Sequence, residues 1–94
     1  MKPIHFSRHA WHRMCLRGAT EAEVVQTIET GPWEPARAGK YQASRTFVFG
    51  QPSPVDQKVY LFKTVHVIFA EEADRIVVVT VLVYYGSENG GGKR

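Results

Sequence analysis

Ten residues near the end of the chain, Ile76 to Tyr85 (IVVVTVLVYY), constrain the fold more than any other feature. A strand with apolar residues at successive rather than alternate positions has two faces to cover, and so belongs inside a sheet. Lys58 to Ala70 (KVYLFKTVHVIFA) reads as a long strand or a bent pair, joined to it by EEADR, and Arg45 to Phe49 (RTFVF) reads as a strand before the turn GQPSPVDQ. These segments form a strand meander.

A tight antiparallel return through EEADR pairs residues whose numbers sum to about 145, with Phe69 opposite Ile76 and Lys63 opposite Leu82. One face then carries Leu61, Lys63, Val65, Val67 and Phe69 beside Ile76, Val78, Thr80, Leu82 and Tyr84. The other carries Tyr60, Phe62, Thr64, His66 and Ile68 beside the odd-numbered residues Val77 to Tyr85. The second face is richer in aromatic and β-branched residues and is the expected seat for helices. The first is then open in part and presents Lys63, Thr80 and Tyr84. A one-residue slip exchanges the faces and exposes His66 and Tyr85 instead.

Two helices precede the meander. Ser7 can cap a helix over Arg8 to Arg17, which Gly18 ends in a left-handed conformation. Its apolar stripe runs through Ala10, Met14 and part of Trp11. Thr20 followed by Glu23 makes a capping box for a second helix with Val24, Val25 and Ile28 on one face, ended by Gly31-Pro32. Residues 32–44, with two prolines and a glycine, suit a mobile connection. The segment SENGGGKR is polar and glycine-rich, which predicts a disordered tail over 87–94 beyond a single domain at 1–86.

At 94 residues the chain has room for one domain, and burial of roughly 60–68% of the unfolded surface predicts modest stability. No run reaches the roughly 18 apolar residues of a membrane span, and the first residues interrupt their apolar character too often for a signal peptide. The reading is a cytoplasmic protein with no membrane partner. The single Cys15 has no internal disulfide partner and fits a reducing compartment.

A net charge of +3 is mild, so its distribution carries the information. Residues 1–20 hold Lys2, Arg8, Arg13 and Arg17 without an acid, and residues 36–63 hold Arg37, Lys40, Arg45, Lys58 and Lys63 against Asp56 alone. Brought together, these segments would make a surface for a polyanion; scattered solvated charge is the alternative.

His9 and Arg13 are one helical turn apart, a spacing that lets an imidazole move a proton beside a guanidinium that holds phosphate. In the structural alternative His9 packs on the sheet and Arg13 pairs with a glutamate of the second helix. His5, His9, His12 and Cys15 have spacings a metal could use, but no second ligand cluster accompanies them, so no metal site is assigned. Paired catalytic acids, a phosphate-binding glycine loop and a nucleophile elbow are absent from the sequence. An enzyme built from this chain would work without metal or cofactor. RNA cleavage through the 2′-hydroxyl meets that condition, since it needs only a base, an acid and cations. Trp11, Trp33 and Tyr41 could stack on bases, although burial is the commoner fate of such residues.

The segment FSRHAWHRMCLRGATEAEVVQTIETG resembles the start of the domain-of-unknown-function 4258 family in its His9-Ala10, Arg13-Met14 and Arg17-Gly18 pairs and the capped helix that follows, and IVVVTVLVYY resembles that family's last strand. The resemblance covers about half of the chain. It implies a RelE-like, barnase-EndoU-colicin ribonuclease layout: an α+β fold with two N-terminal helices packed on one face of a mainly antiparallel sheet of three to four strands. It also implies roles for His9, Arg13 and Thr80. Lys63 and Tyr84 join them from the register above, completing a catalytic set of His9, Arg13, Lys63, Thr80 and Tyr84, with Arg8, Arg17, Arg45 and Lys58 on RNA phosphates. The expectation is a toxin-like, metal-independent endoribonuclease, acting on RNA and held by an antitoxin protein. The alternative is a non-catalytic RNA- or protein-binding module using the same basic surface.

Overall fold

The computed structural model describes residues 2–87; residues 88–94, most of the expected tail, lie outside the described residues. The chain is α+β, with two helices against one face of a five-stranded mixed sheet. In chain order the elements are β1 (Ile4–Phe6), α1 (Arg8–Arg17), α2 (Glu21–Thr30), β2 (Glu34–Pro35), a 3-10 turn (Arg37–Gly39), β3 (Tyr41–Pro52), β4 (Val59–Glu71) and β5 (Ile76–Gly86). The sheet order is β1-β5-β4-β3-β2. The β5–β4, β4–β3 and β3–β2 pairs are antiparallel, whereas β1 lies parallel to β5.

Both helices form where their caps require. The Ser7 side chain accepts from the Ala10 N–H, and Gly18, at φ 86°, turns the chain while its own N–H reaches the Met14 carbonyl. The Thr20–Glu23 capping box is complete in both directions. Ala10 and Met14 of α1 and Val24, Thr27 and Ile28 of α2 are buried against the sheet.

The sheet departs from the sequence expectation in three ways. First, it has five strands and not three or four. Beyond the meander come β1, a three-residue parallel strand on β5, and β2, two residues on β3. Second, residues 32–44 are structured: β2 and the 3-10 turn lie within them, β3 begins at Tyr41, and the Trp33 indole donates to the Ile28 carbonyl. Trp33 packs edge-on against Phe69 and beside Tyr41, so both aromatics close the core and are not laid out for bases.

Third, the register and the covered face differ. Glu71 pairs with Ile76 and Phe69 with Val78, two residues from the expected offset; the ladder then shifts again, so that Ile68 faces Thr80 and Lys63 faces Tyr85. Val79 is the extra residue of this bulge. The helices cover the face that carries Lys63, Val65, Val67 and Phe69, not the face with Thr64, His66 and Ile68. The reason is apolar continuity. The bulge places Ile76, Val78 and Val81 together in the core and turns Thr80 onto the uncovered face, where an unbroken alternation would have buried it between Val78 and Leu82.

Candidate functional site

The expectation that β5 is an interior strand holds for only part of its length. β1 pairs with Ile76, Val77 and Val78 and then ends. Among the described residues, no strand continues along that side of β5. Instead the chain turns into α1, which runs beside β5 and takes over its edge. Ser7 donates from its backbone to the Val78 carbonyl and from its hydroxyl to that of Val79, and the Arg17 guanidinium donates to the Val81 carbonyl at 2.9 Å. A helical side chain leans toward the N-terminus of its helix, so Arg17 can reach back to Val81 although the Arg17 carbonyl lies at Tyr85.

His9, Arg13 and Arg17 follow at four-residue spacing and form one stripe. Anchored at Arg17, this stripe borders the free edge of β5. The Arg13 Nε–H donates to His9 Nε2 at 3.4 Å, which leaves the proton of a neutral His9 on Nδ1. His9 is exposed, and Arg13 is half-buried beside Met14. α1 carries no acid. From the uncovered face β5 contributes Thr80 and Tyr84, which are opposite Ile68 and Thr64 respectively. Of the five expected catalytic residues, two are on α1, which runs beside β5, and two are on the uncovered face of β5 itself.

Lys63 is not among them. It sits on the helix-covered face and is only 3% exposed. Its ammonium donates to the Gly18 carbonyl at 2.7 Å, pairs with Glu23 at 2.9 Å and lies over the Phe49 ring. Its strand partner Tyr85 donates to the Arg17 carbonyl at 2.6 Å. Two neighbouring side chains of the sheet thus take the carbonyl of Arg17, the last residue of α1, and that of its cap Gly18, and the Lys63 charge favours that helix end. Burial, with the Glu23 carboxylate second, raises the Tyr85 pKa above the ordinary phenol value.

The expected phosphate ligands are dispersed. Arg8 and Arg17 belong to α1. Arg45 projects from β3 on the helix side, where it donates to the Thr30 hydroxyl and lies over the Phe47 ring. Lys58 is in the loop before β4, where its backbone N–H donates to Asp56. The two basic segments meet only where Lys63 reaches the Gly18 carbonyl, and there its charge is buried and paired with Glu23. Arg45 is committed to the α2 end on the helix side of β3 and Lys58 lies in the loop before β4, so among the described residues no continuous basic surface joins them to α1.

Sequence reading passed over a second polar group on the uncovered face in favour of Lys63. His66 faces Ser44 across the β3–β4 ladder and meets Gln42 diagonally, Nε2 to Oε1 at 3.0 Å. Because Gln42 Nε2 donates to the Pro35 carbonyl, its Oε1 must accept, so His66 donates from Nε2 and keeps Nδ1 as an acceptor. Burial lowers the His66 pKa below the ordinary imidazole value against the opposing pull of the Glu34 carboxylate. A one-residue register slip was the only sequence signal that exposed this histidine.

Among the described residues no three His, Cys, Asp or Glu side chains converge as metal ligands would, and no helix is long and apolar enough to cross a membrane. In comparisons with known proteins, no family model, no curated protein and no solved structure matches this chain.

Proposed function

We propose that the chain is a toxin-like, metal-independent endoribonuclease of RelE-like layout whose reaction runs along the free edge of β5. The observation that carries this reading is the His9–Arg13–Arg17 stripe held beside that edge by the Arg17–Val81 bond, on a strand whose Thr80 the Val79 bulge turns to the uncovered face. In the reaction the RNA 2′-oxygen attacks the adjacent phosphorus and gives its proton to His9 Nε2, which releases Arg13 to the phosphate. The bond from phosphorus to the 5′-oxygen breaks as Tyr84 protonates that oxygen, leaving a 2′,3′-cyclic phosphate and a 5′-hydroxyl. Thr80 donates to a phosphate oxygen. Arg8 and the free N–H groups of Arg17 neutralise charge along the strand. The cytoplasm is the setting that suits this substrate, and a protein antitoxin would be its natural counterpart.

The test is incubation of the purified chain with total RNA in EDTA, beside His9→Ala and Tyr84→Phe. A positioned acid or base is worth about 10²–10⁴-fold, so each variant should slow cleavage at least about 100-fold. Both residues are exposed, and the thermal midpoint should stay put. Absence of cleavage by the wild-type chain would refute the reading. Salt-sensitive RNA retention without cleavage would establish the second reading, a binding module. What favours that module is the bare apolar surface of the β3–β4 hairpin, where Val48 is 85% exposed and Val59 and Leu61 are also uncovered.

A further inference from the structure

A wide concavity lies at the opposite side of the sheet from α1. It is an open cleft of about 570 Å³ lined by Pro35, Ala36, Arg37, Ala38, Lys40, Gln42 and Ile68, within the roughly 300–1,000 Å³ range of small-ligand sites. Its walls are apolar, its charged residues are two cations, and no acid lines it. Glu34, the nearest acid by sequence, lies in an adjoining small cavity with His66 and Ser44.

The cations are held by a tight and strained turn. The Lys40 N–H returns to the Arg37 carbonyl and the Ala36 N–H to the Lys40 carbonyl. Ala38 sits at φ 56°, ψ 40°, and Gly39 also has positive φ. A left-handed conformation is costly for a residue with a Cβ, and it persists only where the surroundings enforce it. The floor is equally fixed, because the Gln42 amide is tied at both ends to Pro35 and His66. Gln42, Ile68 and Thr80 are successive partners across β3, β4 and β5, so they form one row on the uncovered face. Strands are about 4.8 Å apart, which puts Ile68, at the near wall of the cleft, about 5 Å from Thr80 and Gln42 about 10 Å from it.

We propose that this cleft binds a nucleotide, with its phosphate between Arg37 and Lys40 and its base flat against Ile68, Pro35 and Ala38. The proposal rests on the ribonuclease reading only for the source of the nucleotide: a residue of the RNA strand cleaved at the β5 edge, or a free mononucleotide.

Amide NMR spectra in EDTA test it, with three probes: adenosine 5′-monophosphate, adenosine, and a 2′-O-methyl tetranucleotide that cannot be cleaved. Both phosphorylated probes should shift Arg37 to Lys40, Gln42 and Ile68. Adenosine should bind at least about tenfold more weakly than its monophosphate, and Arg37→Ala/Lys40→Ala should weaken the monophosphate by a similar factor, since the two exposed charged contacts are together worth at least about that much. Tighter binding of the tetranucleotide than of the monophosphate assigns the strand as the source, and equal binding assigns the free nucleotide. Absence of shifts at these residues with either phosphorylated probe, or equal binding by the double variant, overturns the proposal. Cleft shifts without RNA cleavage overturn the nuclease and leave the cleft; cleavage at full rate by the double variant, without cleft shifts in the wild-type chain, does the reverse.

Discussion

Replacing Lys63 by Met keeps the length and the apolar stem of the side chain and removes only its charge and donors. Besides the cation over the Phe49 ring, two polar partners are affected. The Gly18 carbonyl loses a charged donor at 2.7 Å, and Glu23 loses a cation at 2.9 Å. A charge-assisted hydrogen bond contributes about 1.5–3 kcal/mol, and removing one member of a buried ion pair costs about 3–5 kcal/mol. Here the lower end applies, because the Glu23 side chain is 21% exposed and keeps the Thr20 N–H as a donor. The expected loss is about 3 kcal/mol. At roughly 4–8 °C per kcal/mol for a domain of this size, the melting midpoint should fall by about 12–24 °C. Circular dichroism melts of Lys63→Met, Glu23→Gln and the double variant would measure this, with the two single effects expected to be less than additive by about 1–2 kcal/mol. A Lys63→Met protein within about 0.5 kcal/mol of wild type, yet unable to cleave RNA, would refute the reasoning and return Lys63 to the reaction.

Two further outcomes follow from the same geometry. Burial lowers the His66 pKa, so around pH 6 the unfolded chain binds more protons than the folded one; stability should rise with pH until it levels off above about 6.5. The contribution is lost as pH falls through the lowered folded value. In His66→Gln this part of the slope should vanish from urea unfolding between pH 5 and 7.5, and an unchanged slope would assign it to another group. Gly18→Ala should cost more than about 2 kcal/mol by urea denaturation, since φ is 86° and a Cβ would come within 2.7 Å of Pro54 and the Tyr85 hydroxyl; a loss below about 0.5 kcal/mol would mean that the turn can relax.

Both helices, with their ends, were legible because capping is local: Ser7, Gly18, Thr20 and Glu23 act on backbone groups within a turn of themselves. The long strands were legible from composition. β1 was not, because Ile4, His5 and Phe6 are too few to show a period and pair with residues more than seventy positions away. The bulge was hidden for a different reason. Val77, Val78 and Val79 are chemically identical, so sequence alone gives no reason to break the alternation at one of them. That ambiguity moved Lys63 from an expected open face to the core while it left Thr80 and Tyr84 outside. The His9–Arg13–Arg17 stripe was legible because that spacing depends only on helix geometry. The His66–Gln42 pair needed the β3–β4 register, which no local signal gives.

The helix that stands in for a strand beside β5 has a consequence for how the chain survives its own synthesis. VVVTVLVYY, unbroken by charge or proline, is the kind of segment that recruits copies of itself when its edge is bare. α1 is made roughly sixty residues earlier, and by the time β5 leaves the ribosome its cover already exists. Loosening the Ser7 and Arg17 contacts would therefore show first as precipitation, well before any loss of helix.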